Sequence, residues 1–331
     1  MRFLIGALAL CVLGCDPALA ECNKPLQLVT SVDLVPTQED REVLIPVTLA
    51  GQQSLLMIDT GGAMTEISPE FADAQNLPRQ RTGYQLFNVA GEMSNQFVHA
   101  SLQLGRLKAD NMVFMVAPGS APFGSTKIGG LLAPDILKHY DVDLDFGGGK
   151  FNLLDQDHCD GKVVYWPADA VAVVPMLLMD SGHIQVSVLL DGKPILAALD
   201  TGAYYSTLAR PEAEEIFGLT MGSPETPRLA TLAGRPDALT YRHSFKTLGF
   251  EGIQVTNAQV DIIPDFTREI ARTNATPETG THMVTAKSDE THQPMLIGMN
   301  ILRHFHIYIA YKEHKLYITP AAPPAAAPAA H

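Results

Sequence analysis

Two short stretches of this 331-residue chain carry side chains suited to acid–base chemistry. They are Asp59-Thr60-Gly61 within LLMIDTGGAM (Leu55 to Met64) and Asp200-Thr201-Gly202 within ILAALDTGAY (Ile195 to Tyr204). In each, a hydrophobic run that reads as a buried strand stops on an acid, a hydroxyl and a glycine. If two such loops meet, their carboxylates cannot both ionise, and they share a proton as a coupled pair. One acid then acts as base on a held water while the other protonates a carbonyl, which attacks an amide without a covalent intermediate. Glycine lets the two loops approach each other. The threonine hydroxyl can hydrogen-bond the opposite loop. The apolar run before each acid places it where its pKa is adjustable.

An internal repeat must position these loops. Asp59 aligns with Asp200 at an offset of 141, and Asn88-Val89-Ala90-Gly91-Glu92 with Thr231-Leu232-Ala233-Gly234-Arg235 at 143. The block Leu131-Leu132-Ala133-Pro134-Asp135 aligns with Leu296-Ile297-Gly298-Met299-Asn300 at 165, so the second copy carries an insertion, a polar loop over 265–294. The landmarks keep their order, which one chance tripeptide match would not produce.

Each copy reads as mostly strand. Val47, Leu49, Leu55 and Met57 in the first, and Val186, Val188 and Leu190 in the second, alternate with period 2. Ala50 to Gln53 and Leu190 to Pro194 read as hairpin turns, the second with the stronger Asp191-Gly192 signal. A short helix follows each triplet. Ser68 caps the first ahead of Pro69; Pro211-Glu212 opens the second and Gly218 can end it. Further short helices are expected at Pro134 to His139 and Met299 to His304. Many short strands with few helices predict a mainly β, bilobal architecture of two duplicated β-barrel-like lobes. The expected division is a leader at 1–20, lobes at 21–160 and 161–319, and a disordered Ala/Pro tail at 320–331. The join, about Asp155 to Ala170, holds the single tryptophan, Trp166.

Hydrophobic residues make up 46% and charged residues 18%, enough to bury a core, and the formal net charge is −13. That balance argues against nucleic acid as a partner, which needs basic surface. Arg2, the apolar run Phe3 to Gly14 and Ala18-Leu19-Ala20 form an export signal. Alternatively, Val12-Leu13-Gly14-Cys15 resembles a bacterial lipobox, with a lipid anchor at Cys15. No later stretch is apolar for long enough to span a membrane. Either way the protein is expected in the periplasm or secreted. Cys22 and Cys159 remain after removal of the leader, and they form a disulfide in an oxidising compartment or stay as two thiols.

With these residues in view, the sequence resembles the retropepsin-like aspartic proteases, in two copies within one chain, which gives a pepsin-like bilobal arrangement. Asp59-Thr60-Gly61-Gly62, Asp200-Thr201-Gly202-Ala203, Leu131-Leu132-Ala133 and Leu296-Ile297-Gly298 carry the resemblance, which covers about Val43 to Thr319. It implies an aspartic endopeptidase in which Asp59 and Asp200 hydrolyse peptide bonds, with Thr60, Gly61, Thr201 and Gly202 supporting the loops. It also implies a flap closing over a peptide or protein substrate, with Ala90 and Gly91 at its tip and Ala233 and Gly234 in the partner hairpin. No cofactor or metal is implied. A monomer is expected, because both half-sites lie in one chain. Two positions depart from the family: Gly62 stands where Ser or Ala is usual, and Ala133 where Gly is, with Gly130 nearby as a local compensation.

A reading from another class is a catalytically silent module that presents the same cleft to a peptide or protein in the cell envelope. His304, His306 and His314 invite a metal reading, but no Cys or carboxylate spacing completes a zinc pattern. Ser206-Thr207 does not form a nucleophile elbow.

Overall fold

The computed structural model describes residues 22–38, 41–88, 92–120, 123–232, 235–265 and 294–322. The expected leader with Cys15, the tips of both flap hairpins (Ala90, Gly91, Ala233 and Gly234) and nearly all of the 265–294 insertion lie outside the described residues.

The first half runs β1 (Leu28–Asp33), β2 (Leu44–Leu49), β3 (Gln52–Ile58), β4 (Glu66–Ile67), α1 (Pro69–Ala74), β5 (Gln80–Phe87), β6 (Met93–Leu104), β7 (Leu107–Val116), β8 (Ile128–Leu132), α2 (Pro134–Leu137), β9 (Asp141–Asp145) and β10 (Lys150–Leu154). The second half repeats that order: β11 (Ala172–Leu178), β12 (Ile184–Leu190), β13 (Lys193–Leu199), β14 (Thr207–Ala209), α3 (Arg210–Glu215), β15 (Arg228–Leu232), β16 (Arg235–Phe250), β17 (Ile253–Ile263), β18 (Met295–Ile297), α4 (Met299–Leu302), β19 (Phe305–Ala310) and β20 (Lys315–Pro320). Element by element, the duplication read from the sequence is a duplication of structure.

Each half closes a barrel by the same pairings. In the first the order is β2-β3-β8-β4-β7-β6, with β2 pairing back to β6; in the second it is β12-β13-β18-β14-β17-β16, with β12 pairing back to β16. Closure removes unpaired edges, and side chains fill the interior of so small a barrel. Leu56, Ile58, Ala197 and Leu199 point into these cores. Within β3 the fully buried residues are Leu56 and Ile58, whereas Leu55 and Met57, the alternating pair expected from the sequence, are half-buried. The run is apolar on both faces, so periodicity alone could not select the inward one.

The turn chemistry follows from the residues. Ala50 and Gly51 have φ of 49° and 79°, and Asp191 and Gly192 have 47° and 77°. Two successive positive φ values match the right-handed twist of the flanking strands. Ser68 Oγ accepts the Phe71 amide at 2.9 Å and caps α1. In the matching helix, Gly218 adopts φ 67° and its amide reaches the Glu214 carbonyl at 3.1 Å. That helix begins at Arg210, one residue before Pro211. The helices expected to run to His139 and His304 stop at Leu137 and Leu302, because the chain tightens: the His139 and His304 amides bond the carbonyls of Ile136 and Ile301, three residues back, at 3.2 Å each.

A further sheet joins the halves, in the order β1-β10-β9-β19-β20-β11. Its centre is the antiparallel pair β9–β19, with Val142 opposite Ile309 and Asp145 opposite His306. Asp141 and Asp143 are buried here and are fully partnered, as a buried carboxylate must be. Asp141 takes His158 Nε2 at 2.6 Å, the Tyr308 hydroxyl at 3.0 Å and the Tyr311 amide at 3.2 Å. Asp143 takes His306 Nε2 at 2.6 Å, Asn152 Nδ2 at 2.8 Å and the Tyr165 hydroxyl. Trp166, from the linker, stacks on His306 at 3.9 Å between ring centroids. His306 is thus bound into the sheet, whereas His304 and His314 are exposed in turns.

Cys22 and Cys159 form a disulfide with 5.6 Å between Cα atoms, tying the N-terminal segment to the end of the first half. Such a bond fits an extracellular or periplasmic protein. Pro320, expected to start the tail, is the last residue of β20, and the Ala321 amide bonds the His304 carbonyl at 2.8 Å. No helix among the described residues is long and apolar enough to cross a membrane.

Candidate active site

The two triplets sit at the ends of equivalent strands. β3 runs parallel to β8, and β13 parallel to β18, with Ile58 beside Leu132 and Leu199 beside Ile297. The last rung is a backbone bond at 3.0 Å in each lobe, from Asp59 N to Leu132 O and from Asp200 N to Ile297 O. Beyond it each chain turns out of its barrel and meets the other loop.

The threonines interlock. Thr60 Oγ1 donates to the Leu199 carbonyl at 2.8 Å and accepts the Thr201 amide at 3.1 Å. Thr201 Oγ1 donates to the Ile58 carbonyl at 2.6 Å and accepts the Thr60 amide at 3.1 Å. Both hydroxyls are buried and both donate and accept, so neither loop can shift without breaking bonds in the other. The glycines permit the approach. A Cβ on Gly61 would lie 2.4 Å from Asp200 Cγ, and one on Gly202 would lie 2.4 Å from Asp59 Cγ. No real side chain fits there, so each glycine backs directly on the opposite carboxyl group.

The Asp59 and Asp200 carboxyls are hydrogen-bonded to each other. Asp59 also accepts the Gly61 amide at 3.0 Å; Asp200 accepts the Gly202 and Ala203 amides at 2.8 and 3.1 Å. Burial raises both pKa values, but unequally. For Asp59 the bond from Asp200, the Gly61 and Gly62 amides and the charge of His183 oppose the rise. For Asp200 the charge of Asp59 adds to burial and carries it well above the ordinary carboxylate range. The pair therefore titrates as a coupled unit, in which burial and the charge of Asp59 make Asp200 the acid that holds its proton more strongly.

A brace stands behind each loop. Thr65 Oγ1 donates to Asp135 Oδ1 at 2.7 Å and accepts the Ala133 amide at 3.1 Å. Ser206 Oγ donates to Asn300 Oδ1 at 2.8 Å and accepts the Gly298 amide at 3.0 Å. Ser206 is thus a structural hydroxyl. Gly130 does not compensate for Ala133. A Cβ on Gly130 would lie 2.0 Å from the Glu66 carbonyl, so its task is the close approach of β4 and β8. The residue that answers Ala133 is Gly62, whose added Cβ would lie 3.3 Å from Ala133 Cβ and 3.0 Å from Asp59 Oδ2.

Sequence reasoning missed two residues. Glu66 is half-buried near Asp59, and its carboxyl is pushed up to about 8 by burial and by the charges of Asp59 and Asp135. His183 reaches across from the second lobe, with Nε2 2.9 Å from the Gly62 carbonyl.

Both expected flaps have described stems. β5 and β6 pair from Gln80 opposite Phe97 to Phe87 opposite Met93, and β15 pairs with β16 up to Leu232 opposite Arg235. Asn88 Oδ1 accepts the Glu92 amide at 3.0 Å at the neck of the first. Tyr84, Phe87 and Met93 on that hairpin are exposed. Among the described residues no three His, Cys, Asp or Glu side chains are arranged to hold a metal ion.

The chain matches a family described as Aspartyl protease over residues 45–135 and 185–301, one match in each half and together well over half of the chain. No curated protein matches it.

Proposed function

Because the chain belongs to the aspartyl protease family, we propose that it is an exported endopeptidase in which Asp59 and Asp200 activate one water against a peptide bond. The observation that carries this reading is the hydrogen-bonded carboxyl pair, held by the reciprocal threonine bonds. Asp59, ionised, takes a proton from the water as its oxygen attacks the carbonyl carbon. Asp200 gives its proton to the carbonyl oxygen. The resulting gem-diol collapses as a proton passes to the amide nitrogen, the C–N bond breaks, and the pair again holds one proton.

Thr60, Thr201, Gly61 and Gly202 hold the acids in register, and the two hairpins, with Ala90, Gly91, Ala233 and Gly234 at their tips, close over the substrate. The exposed Tyr84, Phe87 and Met93 favour a substrate with apolar side chains, and the net charge of −13 favours one that is neutral or basic. One chain supplies both acids, so it works as a monomer divided near residue 160. The disulfide and the leader pattern support action outside the cytoplasm.

The test is cleavage of an unfolded protein from about pH 3 to about pH 8, with a statine-type inhibitor as control. Asp59→Asn and Asp200→Asn should each lower kcat by about a thousandfold or more while the fold survives. Variants that keep the wild-type rate would sink the dyad assignment. A wild type that cleaves nothing would make the protein a binding module using the same cleft.

A further inference from the structure

The two catalytic loops are fastened differently beyond their triplets. In the second lobe the carbonyls of Ala203 and Tyr204 accept the amides of Met299 and Asn300, the first residues of α4, at 2.8 and 2.7 Å. That loop is tied to its own lobe. In the first lobe the position of Met299 is held by Pro134, which has no N–H to give. Ala133 adds a methyl group where the second lobe has Gly298, against which loop carbonyls press so closely that a Cβ would lie 2.7 Å from Ala203 O.

The Gly62 carbonyl is bonded by His183 Nε2 instead, at 2.9 Å. A carbonyl only accepts, so Nε2 carries the proton. His183 ends the turn between β11 and β12, which is closed by its own carbonyl with the Met179 amide at 3.0 Å and by the Gly182 amide with Met179 O at 2.8 Å. The turn sits on the first lobe: Gly182 has φ 93°, a Cβ on it would lie 2.8 Å from Pro134 Cβ, and Lys138 Nζ bonds the Asp180 carbonyl at 3.1 Å.

We infer that His183 is a positioning residue for the first catalytic loop, supplying from the opposite lobe the hydrogen bond that Pro134 cannot make. The inference rests on the protease reading above for its kinetic consequence, but not for its geometry. Gly62 has the freest backbone of any residue type and gains most from an outside restraint. Its amide bonds the Asp59 backbone carbonyl at 3.4 Å and its N–H favours the ionised Asp59, so a loose Gly62 loosens the turn that carries the acting base. The charge of His183 also favours that ionised form.

The test is a set of variants with kinetics and carboxyl NMR. His183→Ala should lower kcat by about 10- to 100-fold with KM changed by no more than about twofold. His183→Gln, which keeps an N–H donor, should recover most of that loss. Pro134→Ala in the His183→Ala background, which restores a backbone donor in the first lobe, should recover part of it. A cleaving wild type whose rate His183→Ala leaves unchanged, or a loss that neither Gln nor Pro134→Ala relieves, overturns the inference. The second arm needs no activity: the Asp59 carboxyl carbon should titrate at higher pH in His183→Ala than in wild type, and an unmoved titration overturns the inference. A wild type that does not cleave sinks the protease reading alone, and the titration still decides His183.

Discussion

The two Asp-Thr-Gly loops reach the same interlocked grip while placing one methyl group differently. The first loop has Gly62 facing Ala133; the second has Ala203 facing Gly298. In the second lobe the absent Cβ of Gly298 makes room for the carbonyls of Ala203 and Tyr204 to bond α4. In the first lobe Ala133 fills that room, Gly62 gives way, and the loop is fastened across the interface. The two departures from the family pattern are thus two halves of one substitution. What the loops share is the part that touches both acids; what they do not share is how each is anchored behind.

The largest expected effect tests the shared part. Gly61→Ala and Gly202→Ala each drive a methyl group into the opposite carboxyl, and each should lower kcat/KM by about a thousandfold, or about 4 kcal/mol. A tolerant variant in one lobe but not the other would break the symmetry of the grip. Next comes the unshared part. Gly298→Ala sets a Cβ within 2.9 Å of backbone atoms of Ala203, Tyr204 and Tyr205, and overpacking of that kind costs about 1–3 kcal/mol in thermal or denaturant melts. Gly62→Ala, whose near neighbours are side-chain atoms, should cost less, and Ala133→Gly in the same molecule should recover part of it. Additive effects in that double-mutant cycle would show that the two positions are independent.

The smallest effect concerns charge. Glu66 occupies the place that Thr207 holds in the second lobe, so only the first lobe brings an ionisable group here. With its pKa raised to about 8, Glu66 is neutral below that pH and negative above it. The raised value means that its contribution to stability is present at low pH and is lost as pH rises through about 8. The new charge also disfavours an ionised Asp59, so the rate should fall over the same range. Glu66→Gln should flatten that alkaline limb in a pH–rate profile; an unchanged limb assigns it to another group.

Much of this was legible in the chain. The repeat, the two triplets, the turns at Gly51 and Gly192 and the cap at Ser68 are local patterns with local causes. Glu66 was not legible, because its importance comes from the pairing of β4 with β8 and β7, which sets it beside Asp59. His183 was hidden for a related reason. It precedes Asp200 in its own half yet bonds the loop of the other half. A trace of it existed all the same, since the repeat sets Pro134 opposite Met299 and so announces a missing donor. Gly130 misled because closeness in sequence to Ala133 suggested a shared task, whereas the fold gives it to a neighbouring strand.

The sheet β1-β10-β9-β19-β20-β11 has a consequence for cutting the chain. Its central seam joins β9 of one half to β19 of the other, and the segment 155–170 that links the halves in sequence contains no strand or helix. A nick there beyond Cys159, which is bonded to Cys22, would separate the polypeptide without separating the seam. Fragments made apart would each expose a bare strand edge at β9 or β19, a template for pairing with any available strand. Mixed, they complete each other's sheet and bring Asp59 to Asp200, but as a bimolecular event. The acid pair of the reassembled protein would come apart on dilution, while that of the intact chain would not.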